Sequence, residues 1–337
     1  MINARTSVSI LMPSYNSAPY LSAAIESALS QTWPNKEIIV VDDGSTDRSL
    51  SIAREFEGRG VVVISQENRG QSAAANRALK SANGDYVKFF DADDLIHPEL
   101  VARQMVRLEN SDTAISSAEW GRFHGDDLTT FQLNPERVWR DMEPTDWLVE
   151  AWLGARPMMQ CALWLIPRKV IDRVGGWNER LSLINDFEFF ARVLCHVRQV
   201  CFAPGAPVYY RSGRSGTLSK AGSRGAVESA LNSVLLGTGH LLAVRDDARA
   251  RRACANLLQD FIYAYYPDYS DLLRKAERRI EELGGSNLSP TGTRPFEKLR
   301  DVFGWKVAKR IQRAAYRFGY KPRPPFPGSL TKDANAA

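Results

Sequence analysis

The sequence predicts an α/β fold, a mostly parallel sheet flanked by helices and followed by a helical C-terminal extension. Two observations predict it. In roughly the first hundred residues, short apolar runs typical of buried strands alternate with segments whose apolar residues recur at the helical period. After residue 219, long helical periods replace the strand-like runs. Because strands that are apolar on both faces and alternate with helices form βαβ units, the sheet is expected to be parallel.

The predicted elements of the first third follow in order. Strands are expected at residues 8–12, 37–41, 61–65 and 86–90, and helices at residues 20–29, 49–56 and 72–82. Polar clusters follow three of the strands, at residues 13–16, 42–47 and 91–94. Since ligands bind beyond the carboxyl ends of parallel strands, the clusters predict one binding site at that edge. The alternative for each cluster is a turn or a helix cap.

Three carboxylates, Asp91, Asp93 and Asp94, stand at the end of the fourth predicted strand. Like charges this close raise one another's pKa, and burial beside an apolar strand adds to the cost of ionisation. A divalent cation relieves both effects, and oxygen ligands favour Mg²⁺ or Mn²⁺. The cluster therefore predicts a site for a metal ion and a diphosphate. The alternative is an aspartate-rich turn in which Asp94 caps the next helix.

The composition is that of an ordinary globular protein. The sequence also argues against several classes of protein and of binding site. No uninterrupted apolar run approaches the roughly 20 residues that span a bilayer, and the N-terminus lacks a signal-peptide pattern. The cysteines are scattered without a CxxC pair, so neither a disulfide framework nor a zinc site is expected. GxGxxG and GxxxxGK[ST] patterns are absent after the first strand, which argues against a dinucleotide fingerprint and a P-loop. A cytoplasmic location is the expectation.

The positive charge of the chain is concentrated in its tail. Residues 271–337 carry a net charge of +8, which leaves −3 for the rest of a chain whose total is +5. Residues 296–320 predict a basic amphipathic helix. Two alternatives remain for this helix: it lies on an anionic membrane surface, or it packs on the preceding domain with its basic face in water. No nucleic-acid-binding signature is present, and nucleic acid is not an expected partner.

Three segments resemble a known family: SILMPSYNSAPYLSAAIESALSQTWPNKEIIVVDDGSTD, then ENRGQSAAANRAL, then NGDYVKFFDADD. They are similar to the family 2 glycosyltransferases, inverting enzymes of the GT-A fold that use nucleotide-sugar donors. The resemblance continues through about Ser219 and implies a catalytic domain at residues 1–220, with a nucleotide-sugar half at 1–100 and an acceptor half at 101–220. The rest is predicted as a helical extension at 221–285, a linker at 286–295, the basic helix and a disordered tail at 321–337.

The resemblance also implies roles for residues of the nucleotide half. Pro13 and Tyr15 would border the nucleobase, with Tyr15 offering a stacking face. Asp43 would accept a hydrogen bond from the base, with Asp42 as a further contributor. The remaining positions are Arg69 and Gly70 in the nucleotide pocket, and Asp91 and Asp93 as a DxD pair around ribose, metal and diphosphate, with Asp93 the direct metal ligand. Family frequency favours a UDP-sugar.

In the acceptor half, the resemblance places the catalytic base at Asp186. Transfer to a hydroxyl needs one carboxylate that takes the acceptor proton. Asn185 stands where a glutamate is common in the family, and Glu188 is the competing candidate for the base. Arg211 and Arg214 belong to a segment that resembles the family's closing loop, where a guanidinium can neutralise the leaving diphosphate. Many members carry a histidine in that loop, and this chain has none there.

The sequence therefore predicts a cytoplasmic, metal-dependent inverting glycosyltransferase, in which Mg²⁺ or Mn²⁺ assists transfer from a nucleotide sugar. The acceptor would be a hydroxyl of a glycan, a lipid-linked saccharide or another molecule, and the basic helix would allow peripheral binding at the inner face of the membrane. One rival is a nucleotidyltransferase, which would need a Gly-rich, Arg/Lys-bearing loop after the first strand that this chain lacks. The other is a catalytically silent nucleotide-sugar-binding module recruited by its basic tail.

Overall fold

The structure is a computed structural model that describes residues 6–155, 157–213 and 223–318. Its strands are β1 (Val8–Ser14), β2 (Lys36–Asp43), β3 (Val61–Gln66), β4 (Tyr86–Phe89), β5 (Leu95–Ile96), β6 (Ala114–His124), β7 (Asp127–Leu133), β8 (Ile166–Pro167) and β9 (Gln199–Ser212). Its helices are α1 (Ala18–Leu29), α2 (Ser49–Arg54), α3 (Gln71–Ser81), α4 (Leu100–Leu108), α5 (Pro144–Leu153), α6 (Arg168–Val174), α7 (Asn185–Leu194), α8 (Arg224–Val244), α9 (Ala248–Tyr265), α10 (Ser270–Glu282), α11 (Arg294–Phe303) and α12 (Trp305–Arg317).

The first sheet confirms the predicted mostly parallel arrangement. Its strand order is β3-β2-β1-β4-β8, and only the short β8 runs antiparallel to its neighbour. In the register of β1 and β2, Ser14 lies opposite Asp42. The polar clusters that follow the two strands therefore meet at one edge of the sheet. Helix α3 packs on β1 and β2 through small buried side chains, among them Ala74 and Ala78, which allow the helix to lie close to the strands.

A second sheet continues the site beyond the first. Its strand order is β5-β9-β6-β7, with β6 and β9 parallel and the outer pairs antiparallel. The register of β6 against β9 shifts between Ala118 and Trp120, where the ladder has a bulge. Downstream of that shift, β9 carries Tyr210 and Arg211 to the edge of the cleft described below. Except for β5, this sheet belongs to the region predicted as the acceptor half.

The helical extension packs on the preceding region. Helix α8 lies against α7 and α9, while α9 also packs on α5. Among the described residues, α8 alone is long and apolar enough to cross a membrane, but half of its apolar window is buried inside the protein. At Gly237 the contact with α7 is so close that an added Cβ would lie 2.5 Å from the ring of Phe187. The burial and this contact identify α8 as a packed core helix.

The prediction of a single helix over residues 296–320 was wrong. The described part of this segment forms two helices, α11 and α12, which are separated at Gly304. Gly304 has a φ of +78°, a left-handed conformation that ends α11 and that glycine adopts without steric cost. The spacing of the apolar residues runs through this break, which is why the sequence pattern did not reveal it. The predicted disordered tail at 321–337 lies outside the described residues.

Candidate functional site

A cleft of about 700 Å³ opens at the carboxyl ends of β1, β2 and β4. It brings together eight of the residues singled out in the sequence: Pro13, Tyr15, Asp43, Gly70, Asp91, Asp93, Asp186 and Arg211. Asp42 and the Arg69 side chain do not line it, and Arg214 lies outside the described residues. Residues of the three polar clusters thus meet in one cleft, as their positions predicted, and Asp186 and Arg211 join them from later in the chain.

At one end of the cleft, hydrogen bonds to Asp43 hold the loop that precedes α3. Its carboxylate accepts hydrogen bonds from the Gln66 side chain at 2.7 Å and from the backbone N–H groups of Arg69 at 3.0 Å and Gly70 at 2.8 Å. A carboxylate has about four lone-pair sites, so one remains for a ligand N–H. Gly70 has a φ of +90°, which favours glycine at this turn. This end of the cleft therefore takes its shape from Asp43.

The side chains of Asp42 and Arg69 do not occupy the positions that the family resemblance implies. Asp42 is buried, and one of its oxygens accepts a hydrogen bond from the backbone N–H of Ser45 at 3.2 Å. Arg69 turns its guanidinium outward to Glu179, 3.3 Å away, while its backbone N–H donates to Asp43. Tyr15, in contrast, is half-exposed at the cleft, where its ring offers a stacking face.

The aspartates after β4 divide into two groups. Asp94 is buried beneath the cleft, where it accepts hydrogen bonds from the Gln160 amide at 2.7 Å and from the backbone N–H of Arg211 at 2.7 Å. Burial and the charge of Asp91 raise the pKa of Asp94 well above its usual range. Helix α4 begins later, at Leu100, so Asp94 does not cap it and that alternative was wrong. Asp91 and Asp93 line the cleft itself.

A divalent ion fits the chemistry of this cluster. Within the described part of the chain, no group of three or more His, Cys, Asp or Glu side chains is arranged to hold a metal alone. Mg²⁺, however, is commonly held by one or two carboxylates together with substrate phosphates, and Asp91 with Asp93 supplies that number. The neighbouring Cys161 is not suited to be a ligand, because burial and the charge of Asp91 raise the pKa of its thiol.

Asp186 lines the same cleft from the first turn of α7. One of its carboxylate oxygens accepts a hydrogen bond from the backbone N–H of Phe187 at 2.9 Å. Burial, and to a lesser degree the charge of Asp91, raises the pKa of Asp186 to about 7. A carboxylate whose pKa lies near neutrality is well matched to the work of a general base. Asn185 donates to the Ser72 hydroxyl at 3.0 Å and so fixes the start of α7 to α3.

Glu188, the competing candidate for the base, points away from the cleft. Its carboxylate pairs with Arg192 at 2.8 Å and with His240 at 2.9 Å, and it does not line the cleft. Burial by itself would raise the pKa of Glu188, but the hydrogen bonds from His240 and Arg192 outweigh it and lower the pKa to about 2. Glu188 therefore joins α7 to α8 as a buried ion-paired group.

Glu188→Gln should destabilise the fold by about 2 kcal/mol near neutral pH, after allowance for solvent screening. Because the folded-state pKa of about 2 lies below the usual 4.5, the stabilisation is present above about pH 4.5 and is lost as the pH falls toward 2. Urea unfolding at neutral pH and at about pH 3 measures this. The exposed ion pair of Glu282 with Arg279 provides the control, and Glu282→Gln should change stability little. If Glu188→Gln lowered the free energy of unfolding by the same amount at both pH values, the lowered pKa of Glu188 would not be the source of the stabilisation.

Arg211 is held more firmly than a mobile loop residue. Its guanidinium lies over the rings of Tyr20 at 4.7 Å and Phe123 at 4.5 Å, and it donates to the Asp93 carbonyl at 2.6 Å. It also forms an ion pair with Asp126. Positive charge is thereby fixed beside the aspartate cluster.

Several residues of the cleft were not singled out in the sequence. Gln71 donates to Asp91 at 2.9 Å, and Gln160 connects Asp91 with Asp94. Their amides have no distinctive local sequence pattern, so only the fold reveals them. Tyr265 reaches the cleft from α9, in the helical extension, where no motif marks it. The extension therefore forms part of the wall of the cleft.

Comparisons with known proteins assign the family. Residues 9–175 match the family model described as glycosyl transferase family 2. The chain belongs to the family 2 glycosyltransferases. A curated relative of this family from Escherichia coli (strain K12), the uncharacterized glycosyltransferase YibD, is 38% identical over 124 residues, which cover 36% of each protein. The uncharacterized glycosyltransferase RT0329 of Rickettsia typhi is 30% identical over 195 residues, which cover 56% of this chain and 58% of that protein. Less than two thirds of either relative is thus matched.

Solved structures confirm the GT-A fold of this family 2 protein. The crystal structure of S. aureus TarS 1-349 in complex with UDP-GlcNAc is similar with a TM-score of 0.69 at 19% identity, over 94% of this chain and 93% of that one. The mannosyltransferase PcManGT from Pyrobaculum calidifontis, in complex with GDP-Man and Mn²⁺, has a TM-score of 0.52 at 15% identity, over 91% and 86%. At such identities the likeness establishes the fold alone. The similarity to TarS includes the helical extension, because it covers nearly the whole chain.

Proposed function

We propose that the protein is an inverting glycosyltransferase that moves a sugar from a nucleoside diphosphate sugar to an acceptor hydroxyl. One observation carries the proposal. A carboxylate with a pKa of about 7, Asp186, shares a single cleft with the aspartate pair Asp91 and Asp93. Such a cleft would offer both a proton acceptor and a diphosphate site.

The donor would bind between Tyr15 and Asp43. The exposed Tyr15 ring can stack on a nucleobase, and the remaining lone pair of Asp43 can accept a base N–H. We favour a UDP-sugar, and the UDP-GlcNAc complex of TarS supports a uridine donor. Asp91 and Asp93 would hold Mg²⁺ or Mn²⁺ against the diphosphate, and the ion when bound would neutralise phosphate charge. Arg211, and Arg214 beyond the described residues, would add positive charge near the leaving group.

Asp186 would take the acceptor proton as the new glycosidic bond forms at the anomeric carbon and the bond to the diphosphate breaks. One base suffices when the acceptor oxygen attacks from the face opposite the leaving group, and this displacement inverts the anomeric centre. The backbone N–H of Phe187 fixes the orientation of the carboxylate. The electron pair of the breaking bond leaves with the nucleoside diphosphate.

The acceptor would lie against Tyr265, which faces the cleft from α9. The Tyr265 ring is half-buried and packs on Phe261 at 4.7 Å, so it is a fixed aromatic surface of the kind that binds sugar rings. Ile184, which directly precedes α7, also lines the cleft and is exposed there. The proposed acceptor is therefore a glycan, free or carried on a lipid.

Tyr265→Ala should raise the acceptor KM about fivefold or more while leaving donor affinity unchanged, because a stacking surface is lost on the acceptor side only. A panel of methyl glycosides serves as acceptors, with nucleoside diphosphate release as the readout. Tyr209→Ala is the control, since Tyr209 is half-buried against Phe131 away from the cleft. Equal acceptor KM values for wild type and Tyr265→Ala would remove Tyr265 from the acceptor site.

We propose a cytoplasmic location. All four cysteines are free thiols, which suits a reducing compartment. Fractionation of cells that produce the tagged protein tests this, and recovery outside the cytoplasm and its membrane face would contradict it.

A donor screen tests the proposed activity. Purified protein is mixed with UDP-, GDP- and dTDP-sugars, with and without Mn²⁺, and followed by thermal shift and by nucleoside diphosphate release. We expect metal-dependent stabilisation and turnover with one nucleotide class, and loss of both in Asp93→Asn. Metal-dependent binding without turnover on any acceptor would favour the silent binding module, and no response to any donor would overturn the proposal.

A further inference from the structure

An apolar stripe remains exposed on the last two described helices. Its members project from α11 and α12 with the following exposed fractions: Val302 72%, Phe303 60%, Val307 42%, Ile311 43% and Phe318 91%. Val307, Ile311 and Phe318 are four and seven residues apart, which places them on one side of α12. Water-exposed aromatic and aliphatic side chains that are grouped in this way mark an interaction surface.

Another side of α12 is already packed on the protein. Trp305 packs edge-on against Tyr263 at 4.8 Å and Tyr266 at 5.1 Å, and Ala308 is fully buried. Lys306 contacts Glu277 of α10 at 3.5 Å. The helix is therefore held in place, and its exposed stripe is a preformed surface.

The charge of α12 identifies a partner for this stripe. Residues 305–318 contain five basic residues and no acidic residue. Lys306 and Arg313 pair with Glu277 and Asp268, but their side chains stay 55% and 31% exposed. Arg310 lies over the ring of Tyr266 at 5.6 Å. At 13 residues, α12 is shorter than the roughly 20 residues that cross a bilayer. A short helix with an apolar stripe beside basic side chains lies in the plane of an anionic membrane surface, with its apolar side chains in the headgroup region.

We propose that the stripe of α11 and α12 binds the protein to an anionic lipid bilayer, with α12 parallel to the membrane. The sequence left open whether this segment packs on the protein or lies on a membrane, and under this proposal different sides of α12 do each. The turn of α9 on which Trp305 packs also carries Tyr265 into the cleft. Binding here would bring the acceptor side close to the bilayer, which suits a lipid-linked acceptor, and this last step rests on the proposed function.

Vesicle cosedimentation with the full-length protein tests the proposal. We expect binding to phosphatidylcholine vesicles that contain phosphatidylglycerol, weaker binding as salt is raised, and little binding to phosphatidylcholine alone. Phe303→Ser/Phe318→Ser should lower the partition coefficient roughly tenfold or more, because two apolar anchors are lost. Lys309→Gln/Arg310→Gln should lower it roughly tenfold at low salt.

The control removes two comparably exposed apolar residues from β7 instead. Leu128→Ser/Leu133→Ser should bind vesicles like the wild type. Nucleoside diphosphate release measured without lipid should be unchanged in Phe303→Ser/Phe318→Ser, so that loss of membrane binding and loss of activity are scored separately. Absent binding to anionic vesicles, or equal binding by the wild type and this variant, would overturn the proposal. A dimer that the same variant abolishes, without vesicle binding, would assign the stripe to a second copy of the chain.

Discussion

Asp186→Asn should reduce sugar transfer by roughly 10²–10⁴-fold while donor binding is retained. The substitution keeps the shape of the side chain and its acceptor oxygen for the Phe187 N–H, but it removes the basic carboxylate. Donor affinity should persist, because the proposed base contacts, Tyr15 and Asp43, and the proposed metal ligands are unchanged in the variant. Transfer is measured with saturating acceptor, and donor binding by titration calorimetry. Unimpaired transfer in the variant would rule out Asp186 as the base.

The pH dependence of the wild-type enzyme gives an independent check. Asp186 must be deprotonated to accept a proton, and its pKa in the free protein is about 7. The value of kcat/KM should therefore rise with pH through a single ionisation near 7 and become level above it. Asp172→Asn provides the matched control, because Asp172 is exposed and pairs with Arg168 outside the cleft. Its profile should coincide with that of the wild type.

The sequence predicted the parallel sheet and its binding edge because both depend on local pattern. Apolar runs mark β1, β2 and β4, and chain direction alone places their polar ends together. Gln160 could not be predicted, because its position does not depend on local pattern. Its role depends on a turn over residues 161–163 that only the tertiary fold brings beneath the aspartates. Lys88 helps to hold that turn, since its buried ammonium donates to the Ala162 carbonyl at 2.6 Å.

Lys88 is a buried cation whose hydrogen-bond partners the sequence does not reveal. Within the run Tyr86–Phe89 a lysine suggests an exposed position, yet its side chain is fully buried and desolvation lowers its pKa to about 7. The backbone carbonyls of Ala162 and Trp164 compensate the burial. Neither secondary-structure propensity nor hydrophobic periodicity can predict hydrogen bonds to carbonyl groups that lie about 75 residues away in the chain. The same limit applies to Tyr265, whose place in the cleft depends on how the helical extension packs.

Asp43→Asn should weaken donor binding roughly tenfold or more and destabilise the protein by about 2 kcal/mol. The carboxylate accepts from Gln66, Arg69 and Gly70 through two oxygens. An asparagine keeps one oxygen and turns an NH₂ group toward a backbone N–H, so a donor faces a donor in a buried site. The loop before α3 should lose its fixed shape, and the nucleotide pocket with it. Calorimetric titration with the nucleoside diphosphate selected by the donor screen measures the affinity.

Asp42→Asn is the matched comparison for this prediction, because Asp42 adjoins Asp43 on β2 but does not line the cleft. Its carboxylate accepts a hydrogen bond from the Ser45 N–H, and the oxygen of an asparagine can accept the same bond. Donor affinity should therefore fall far more in Asp43→Asn than in Asp42→Asn. Equal losses would mean that both carboxylates contact the nucleotide, and that the turn after β2 rearranges when the donor binds. Unchanged affinity in Asp43→Asn would remove this loop from the donor site.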